Sequence, residues 1–433
     1  MNKEAIAETI KQKDIQWVQA HFTDILGKLR VLHFPAKRLI DDNLLENGFG
    51  FDGSSVGFSS VEKSDMLAIP DPSTFLVLPH EKDEARIISD IYTTNRQPYL
   101  GDPRNILKKA IKAAFDMGFN SVDISPEMEF HVFDDSNNEE YDIEPNECYF
   151  ASPSLENVKN FRRDISEHLI QSGYQIKYHH HETGRLQHEV EIMKLDALSA
   201  ADFCIYFKYL ARELAKIHDF LITFMAKPLS DDAGSGLHAH LAFFNDGKNM
   251  FYDKDDKYNL SETARYFIGG VLDHSRGIAA IANPTLNSYK RLIPYFEAPI
   301  YIAWGQHNRS SLIRIAEKKD VDVEIRNADP SANPYLFYAA VIYAGLDGIK
   351  KKRVYDPIEG NIYQMSKQEL IDRGIAKLPM NLNEALEALE SDTVIKEAIG
   401  KEALDRFIQV KRKEWLEYMT SVTDLDYKFY FNC

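Results

Sequence analysis

Pro126-Glu127-Met128-Glu129-Phe130-His131-Val132 alternates ionisable with apolar side chains, which is the period of a β-strand. Glu127 and Glu129 fall on one face, and Phe130 and Val132 on the other, toward a core. Three segments repeat the pattern: Glu189-Val190-Glu191, His238-Ala239-His240 and Glu324-Ile325-Arg326. A fourth, Asp322-Val323-Glu324, is less clearly extended. Their apolar neighbours Ile192, Leu241, Phe243 and Ile325 again suggest strands packed on one side. Charges on a half-buried strand are costly unless paired or bound to metal. Strands that aim carboxylates the same way therefore predict a metal-binding funnel. A donor set of carboxylates with a single imidazole selects hard cations such as Mg²⁺ or Mn²⁺ over thiolate-seeking metals. Arg291, Arg309, Arg314 and Arg326 follow closely, and their forks suit carboxylate and phosphate. Metals beside arginines fit phosphoryl transfer to an acidic substrate. A blander reading competes: a lone Glu-x-Glu is usually a solvated face, arginines usually form ion pairs, and His179-His180-His181 suits an ordinary surface cluster.

Working outward, the 433 residues exceed one ordinary core and suit a large domain plus a smaller one. A net charge of -16 argues against a general nucleic-acid or anionic-membrane surface. No apolar run approaches the ~20 residues of a membrane span. Cys148, Cys204 and Cys433 lie far apart, an odd and sparse set that fits a reducing compartment, the cytoplasm. The first hundred residues read as a short helix followed by strands. The strand around Trp17–Phe22 is buried on both faces or bulged, and it enters a hairpin through the turn Asp24 to Lys28, which contains Gly27. Asn95, Pro98, Gly101 and Pro103 mark a boundary, so residues 1–102 form one domain and 103–433 another. Asp102 is an N-cap with Pro103 at the first helical position; Ile106, Leu107, Ala110, Ile111, Ala114 and Phe115 trace one helical face, which Gly118 ends. Longer helices are expected over Leu155 to Ser172 and Ser199 to Phe220, and the charged chain from about Asn381 is helical.

At these same segments the chain resembles the type I glutamine synthetase family, collinearly over nearly its whole length. The resemblance rests on Asp52-Gly53-Ser54-Ser55 with Ser64-Asp65-Met66, Pro126 to Phe130, and His180-His181-Glu182 with Gln187-His188-Glu189. It continues through Lys227-Pro228, Gly234-Ser235-Gly236-Leu237-His238, Asn283 to Leu292, and Glu297-Ala298-Pro299. It closes with Asn308-Arg309-Ser310, Glu324-Ile325-Arg326 and Asp329 to Leu336. The resemblance implies an α+β protein, with a small β-grasp domain and a large α/β catalytic domain whose curved antiparallel sheet forms a funnel. It also implies two stacked six-membered rings, a dodecamer with each active site shared between subunits. The implied activity is the ATP-dependent ligation of ammonia to the γ-carboxyl of L-glutamate through γ-glutamyl phosphate. Two divalent cations are implied, one held by Glu129, Glu182 and Glu189, the other by Glu127, His238 and Glu324. Gly234, Arg291, Glu297, Arg309 and Arg326 would bind glutamate, and Asp52, Ser55, Tyr149 and Glu182 would bind ammonium. His240, Arg309, Arg314 and Lys319 would meet ATP. Asp52 resembles the base that deprotonates ammonium, Arg309 the group that meets the transferring phosphoryl, and Glu297 the acceptor of the next proton on a covering loop.

The chain departs from the family pattern at Lys177, where a glutamate is usual, at Ala242 for serine, and at Asp322 for arginine, all on the nucleotide side. Ala233, Leu186 and Tyr295 replace an asparagine and two glycines, and the stretch between Asp52 and Asp65 is slightly short. The opposite charge changes at Lys177 and Asp322 suggest mutual compensation. Two rival readings remain, a γ-glutamyl ligase for a larger amine and a catalytically silent scaffold. The intact ammonium group and the six matched ligands speak against them. Tyr363 aligns with a tyrosine that some members adenylylate, although the short chain resembles the unmodified subgroup and an ordinary loop residue is expected there.

Overall fold

The computed structural model describes residues 1–134, 147–294, 296–316 and 321–433. A first sheet is built from β1 (Trp17–Thr23), β2 (Leu29–Pro35), β3 (Phe49–Asp52), β4 (Asp65–Pro70), β5 (Leu76–Val77) and β6 (Glu84–Thr93). Its order is β2-β1-β6-β4-β3, with β5 also on β6 and with β1 and β6 parallel. β1 is buried on both faces for a definable reason. Val18 and Ala20 pack with Ile6 of the first helix, while Gln19 and His21 face Tyr209 on the helix Ala197–Ile217. The hairpin turn forms as expected. Asp24 accepts N–H bonds from Leu26 and Lys28, both at 3.0 Å, and takes the Arg30 fork. Gly27 has φ +78°, and a Cβ there would stand 3.0 Å from the Asn333 backbone. Only glycine suits that pair of demands. Asn333 in turn donates to the Asp24 carbonyl, seating the hairpin on the larger part of the molecule.

The second sheet comprises β7 (Ser121–Asp134), β8 (Ile176–His181), β9 (Gln187–Ile192), β10 (Leu195–Asp196), β11 (Phe220–Thr223), β12 (Leu237–Asn245), β13 (Lys248–Asn249), β14 (Tyr301–Gln306), β15 (Ser311–Ile315), β16 (Val323–Ile325) and β17 (Ala376–Lys377). It runs β17-β14-β15-β16-β12-β7-β9-β8, with β10 and β11 on β7 and β13 on β12. The fold is α+β, with a β-grasp unit beside this curled sheet. Pairing is antiparallel except between β14 and β15, which are parallel. Met128, Phe130, Val132, Ile192, Leu241, Phe243 and Ile325 lie in one continuous core with the helices Ala197–Ile217, Glu262–Ala282 and Pro334–Lys351. Each such large side chain contributes roughly 1.5–3 kcal/mol by leaving water.

Helix boundaries differ in detail from the expectation. Pro103–Asp116 starts at the Asp102 cap as anticipated, yet Phe115 is 63% exposed, because the buried arc is set by Ile106, Leu107, Ala110 and Ala114. The next helix begins at Lys159 rather than Leu155, where Glu156 turns aside to grip Arg162. The following one spans Ala197–Ile217, two residues earlier than Ser199, because Asp196 caps it; Phe220 opens β11 instead. Beneath Asp102 the two parts of the molecule meet in a buried ion cluster. The Arg104 guanidinium contacts Asp202 at 3.1 Å, Asp90 at 2.7 Å and Asp71 at 3.0 Å, and Tyr335 donates to Asp202. No helix among the described residues is long and apolar enough to cross a membrane.

Candidate active site

Strand register gathers the carboxylates. Across the sheet, His180 of β8 stands opposite Glu189 of β9, and Glu189 opposite Glu129 of β7. Two residues along β7, Glu127 lies opposite His238 of β12; His240 then faces Glu324 of β16, which faces Arg314 of β15. The i, i+2 spacing thus becomes a row that crosses six neighbouring strands. Glu182 follows directly on β8, with Thr183 N–H bound to its carboxylate.

Two sets of ligand atoms lie within 4.8 Å of one another here: Glu127 with His238 and Glu324, and His180 with Glu182 and Glu189. The first matches the sequence-derived trio. In the second, His180 stands where Glu129 was expected. Glu129 adjoins it in the same cleft, its carboxylate accepting from Gln187 at 2.6 Å and from Gly236 N–H at 2.7 Å. Arg291, Arg309, Arg314, Arg326, Gly234, Glu297 and Tyr149 line this cleft as well. Gly234 is required by close approach, since a Cβ would meet the Ala226 carbonyl at 2.3 Å. Arg291 is buried and donates to the Asn327 carbonyl at 2.9 Å, while its Nε has no partner among the described residues. Arg326 Nε reaches Glu324 at 3.1 Å, and Arg314 also contacts Glu324. His240 lies deeper, with Nε2 on Glu127 at 2.6 Å and Nδ1 on Asp322 at 3.0 Å.

Asp52 and Ser55 stand apart from the cleft. Asp52 ends β3, an edge of the first sheet, and Ser55 lies in the turn that follows; Asp52 accepts from Ser54 N–H and from the hydroxyls of Ser54 and Ser55. Those hydroxyl bonds lead in holding its carboxyl down at about 2. Lys319 and Tyr295 fall outside the described residues. Lys177 and Asp322 are paired separately rather than with each other: Lys177 with Glu191, Asp322 with His240 and, at 3.3 Å, Lys194.

Sequence reasoning passed over His180 and Gln187 as individual groups. The signal was available for His180, since Tyr178 and His180 alternate on β8 as the glutamates do on their own strands, but three successive histidines disguised it.

The electrostatics divide the cleft. Burial would raise Glu127, but His240 and His238 hold it well below the usual carboxylate range. Burial likewise opposes Glu324, and His240 with Arg326 prevails to lower it. His240 is itself raised to about 10, Glu127 and Asp322 outweighing its burial. By contrast Glu182 is pushed up to about 8, first by burial and then by Glu129 and Glu127. Glu189 rises well above its ordinary value for the same reasons. In this half the ionised carboxylates are disfavoured until positive charge is supplied. His238 Nε2 is buried without a hydrogen-bond partner among the described residues. An unpaired imidazole nitrogen amid surplus carboxylates fits divalent cations with mainly oxygen ligands. The cleft is small, about 100 Å³, against about 800 Å³ for the cavity between residues 58–66 and the helix Lys401–Thr420. We assign chemistry to the smaller one because carboxylate, imidazole and guanidinium groups converge there.

Comparison with known proteins agrees with this geometry. The family description "Glutamine synthetase, catalytic domain" matches residues 100–430, and "Glutamine synthetase, beta-Grasp domain" matches residues 14–94. A glutamine synthetase from Methanosarcina mazei is 41% identical over 429 residues, covering 97% of this chain and 95% of the relative. One from Staphylococcus aureus is 39% identical over 431 residues, covering 98% and 96%. Among solved structures, a GmaS/ADP complex superposes with TM-score 0.90 at 30% identity, over 99% of each chain. A Plasmodium falciparum glutamine synthetase gives 0.87 at 28%, also over 99% of each. The chain belongs to the glutamine synthetase family.

Proposed function

We propose that this protein joins ammonia to the γ-carboxyl of L-glutamate at the expense of ATP, by way of γ-glutamyl phosphate. The observation that carries the reading is the convergence of carboxylates, His238 and four arginines in one cleft. A carboxylate is a poor electrophile, and phosphorylation gives it a leaving group. Glu127, His238 and Glu324 would hold one Mg²⁺ or Mn²⁺, and Glu129, Glu182 and Glu189, with His180 adjoining, a second. Such cations supply neutralising charge for phosphoryl oxygens and polarise the acyl group.

The chain's own side chains do the rest. Arg291 and Arg326, with Gly234 between cleft and loop, bind the α-carboxylate of glutamate, to which buried forks are suited. Arg309 and Arg314 reach the γ-phosphoryl and meet the charge that spreads over its oxygens during transfer. Lys319 and His240 belong to the nucleotide side, His240 acting by holding Glu127 in place. Tyr149 and Glu182 receive ammonium, and Asp52, kept anionic by its serine bonds, withdraws a proton to free the nucleophilic lone pair. Glu297 accepts the next proton and covers the acyl phosphate against water.

Because Asp52 and Ser55 sit at an edge strand away from their own cleft, they serve the cleft of a second copy. That placement supports a closed homo-oligomer with sites between subunits, and the family resemblance supports a dodecamer of two six-membered rings. Exposed Leu416, Met419, Val422, Leu425, Phe429 and Phe431 at the C-terminal end support a partner surface. The three free cysteines suit a cytoplasmic protein.

Phosphate release with ATP and glutamate, comparing ammonia with a panel of small amines, tests the assignment. Glutamine formed from ammonia in preference to every amine is expected. Turnover only with a larger amine, or none with any, overturns it.

A further inference from the structure

Glu297 is held in the left-handed backbone region, φ +60°, where a residue other than glycine is strained. Such a conformation persists only when its surroundings fix it. The flanking residues show what does so. On one side, the Phe296 ring has the Lys227 ammonium 3.6 Å from its centroid. Lys227 is itself immobile: it is 5% exposed, its ammonium also donates to the Asp232 carbonyl, and its backbone exchanges hydrogen bonds with the Asn287 side chain at 2.8 and 2.9 Å. On the other side, the Ala298 carbonyl accepts a 2.7 Å hydrogen bond from the Tyr363 hydroxyl. Tyr363 stands on a short turn that Asn361 caps and the buried Ile362 anchors, and its ring packs on Tyr301.

We infer that Lys227 and Tyr363 are positioning residues that clamp the Glu297 loop from its two flanks, and so set how completely the cleft excludes water from the acyl phosphate. Neither touches the reacting atoms. This rests on the proposed ligase activity, in which the acyl carbon of γ-glutamyl phosphate is attacked by ammonia and phosphate leaves. If water attacks instead, glutamate and phosphate return, and ATP is spent with no glutamine formed. A slack loop therefore shows as extra phosphate per glutamine, a signal that a merely structural residue does not produce.

The experiment compares wild type with Tyr363→Phe, Phe296→Leu, Lys227→Met and Lys227→Arg. It measures phosphate released per glutamine formed, together with kcat and the KM for ATP. Wild type should couple them one to one; if wild type makes no glutamine, the ligase reading fails and not the clamp. Tyr363→Phe and Phe296→Leu should each lower kcat about tenfold, the size expected of a catalytic group displaced by a fraction of an ångström. Their phosphate ratio should rise above one while the KM for ATP stays within about twofold of wild type. Lys227→Arg, which keeps a cation over the ring, should restore much of the coupling that Lys227→Met loses. Should buried Lys227 prove indispensable for folding, Phe296→Leu decides alone, since that side chain lies on the loop. Wild-type kcat and one-to-one coupling in both Tyr363→Phe and Phe296→Leu overturn the inference.

Discussion

Two buried charge clusters in this molecule are built on opposite principles. At the junction beneath Asp102, one guanidinium answers three aspartates and Tyr335 adds a further hydrogen bond. In the cleft, Glu182, Glu189 and Glu129 crowd together with the His180 imidazole beside the first two, and burial, then repulsion from Glu129, drives Glu182 up to about 8. The three aspartates of the junction find their countercharge within the chain, whereas the cleft is complete only with something positive in it. Burial is much alike in both, so burial alone does not separate a structural cluster from a functional one. The balance of charge does.

The sharpest way to break this contrast is to neutralise one member of each. Glu189→Gln removes a repulsive charge, so the protein should be no less stable and its melting temperature unchanged or raised. Its kcat should nevertheless fall about a thousandfold, roughly 4 kcal/mol of lost transition-state stabilisation. A large fall in stability would show that the cleft is a structural cluster after all. Arg104→Met should do the reverse, costing about 3–5 kcal/mol in urea unfolding, because three aspartates lose the guanidinium they share and keep only Lys108, Tyr335 and Ser73 as partners. A variant as stable as wild type would deny the junction its role.

How much of this was legible in the residues follows from what fixes each feature. Alternation in Glu127-Met128-Glu129-Phe130 is local, so the strand, its core face and its polar face are all readable. The convergence of Glu127, His238 and Glu324 depends on register, which spacing suggests and only the paired sheet supplies. His180 was obscured because Tyr178 to His181 carry no apolar partner to reveal the alternation; its role comes from standing opposite Glu189. That Lys177 and Asp322 do not pair directly with each other was hidden for a similar reason. Each found a nearer partner, Glu191 in one case and Lys194 with His240 in the other. The remoteness of Asp52 from the cleft of its own chain follows from where β3 lies in the first sheet, which no local motif encodes.

Adding cations sharpens the contrast further. Mg²⁺ or Mn²⁺ at about a hundred times its dissociation constant should stabilise the wild type by ~2.7 kcal/mol for each site it fills, since it binds only the folded cleft. The same addition should stabilise Glu189→Gln by about one site less, since the Glu127–His238–Glu324 set stays whole, while stabilising Arg104→Met in full. Calorimetric scans with and without metal decide it, and equal stabilisation of Glu189→Gln would separate metal binding from this cleft.

The smallest effect concerns the one carboxylate at the junction that its neighbours do not satisfy. Asp102 is raised from 3.8 to about 7, first by burial and then by Asp90, against the N–H bonds it accepts from Ile91 and Arg104. A folded-state value above the unfolded one means that the stabilisation is whole below the unfolded value and is lost as pH rises through the folded one. Stability should therefore fall between about pH 4 and 7, by no more than ~1.4 kcal/mol per pH unit for this single group. Asp102→Asn keeps an oxygen that caps the helix but carries no charge. The difference in urea midpoint between Asp102→Asn and wild type cancels every other titrating group, so it should grow in favour of the variant across that window and stay level above it. If the two curves run parallel from pH 4 to 7, Asp102 is already compensated, and the junction is as closed a charge system as Arg104 alone suggests.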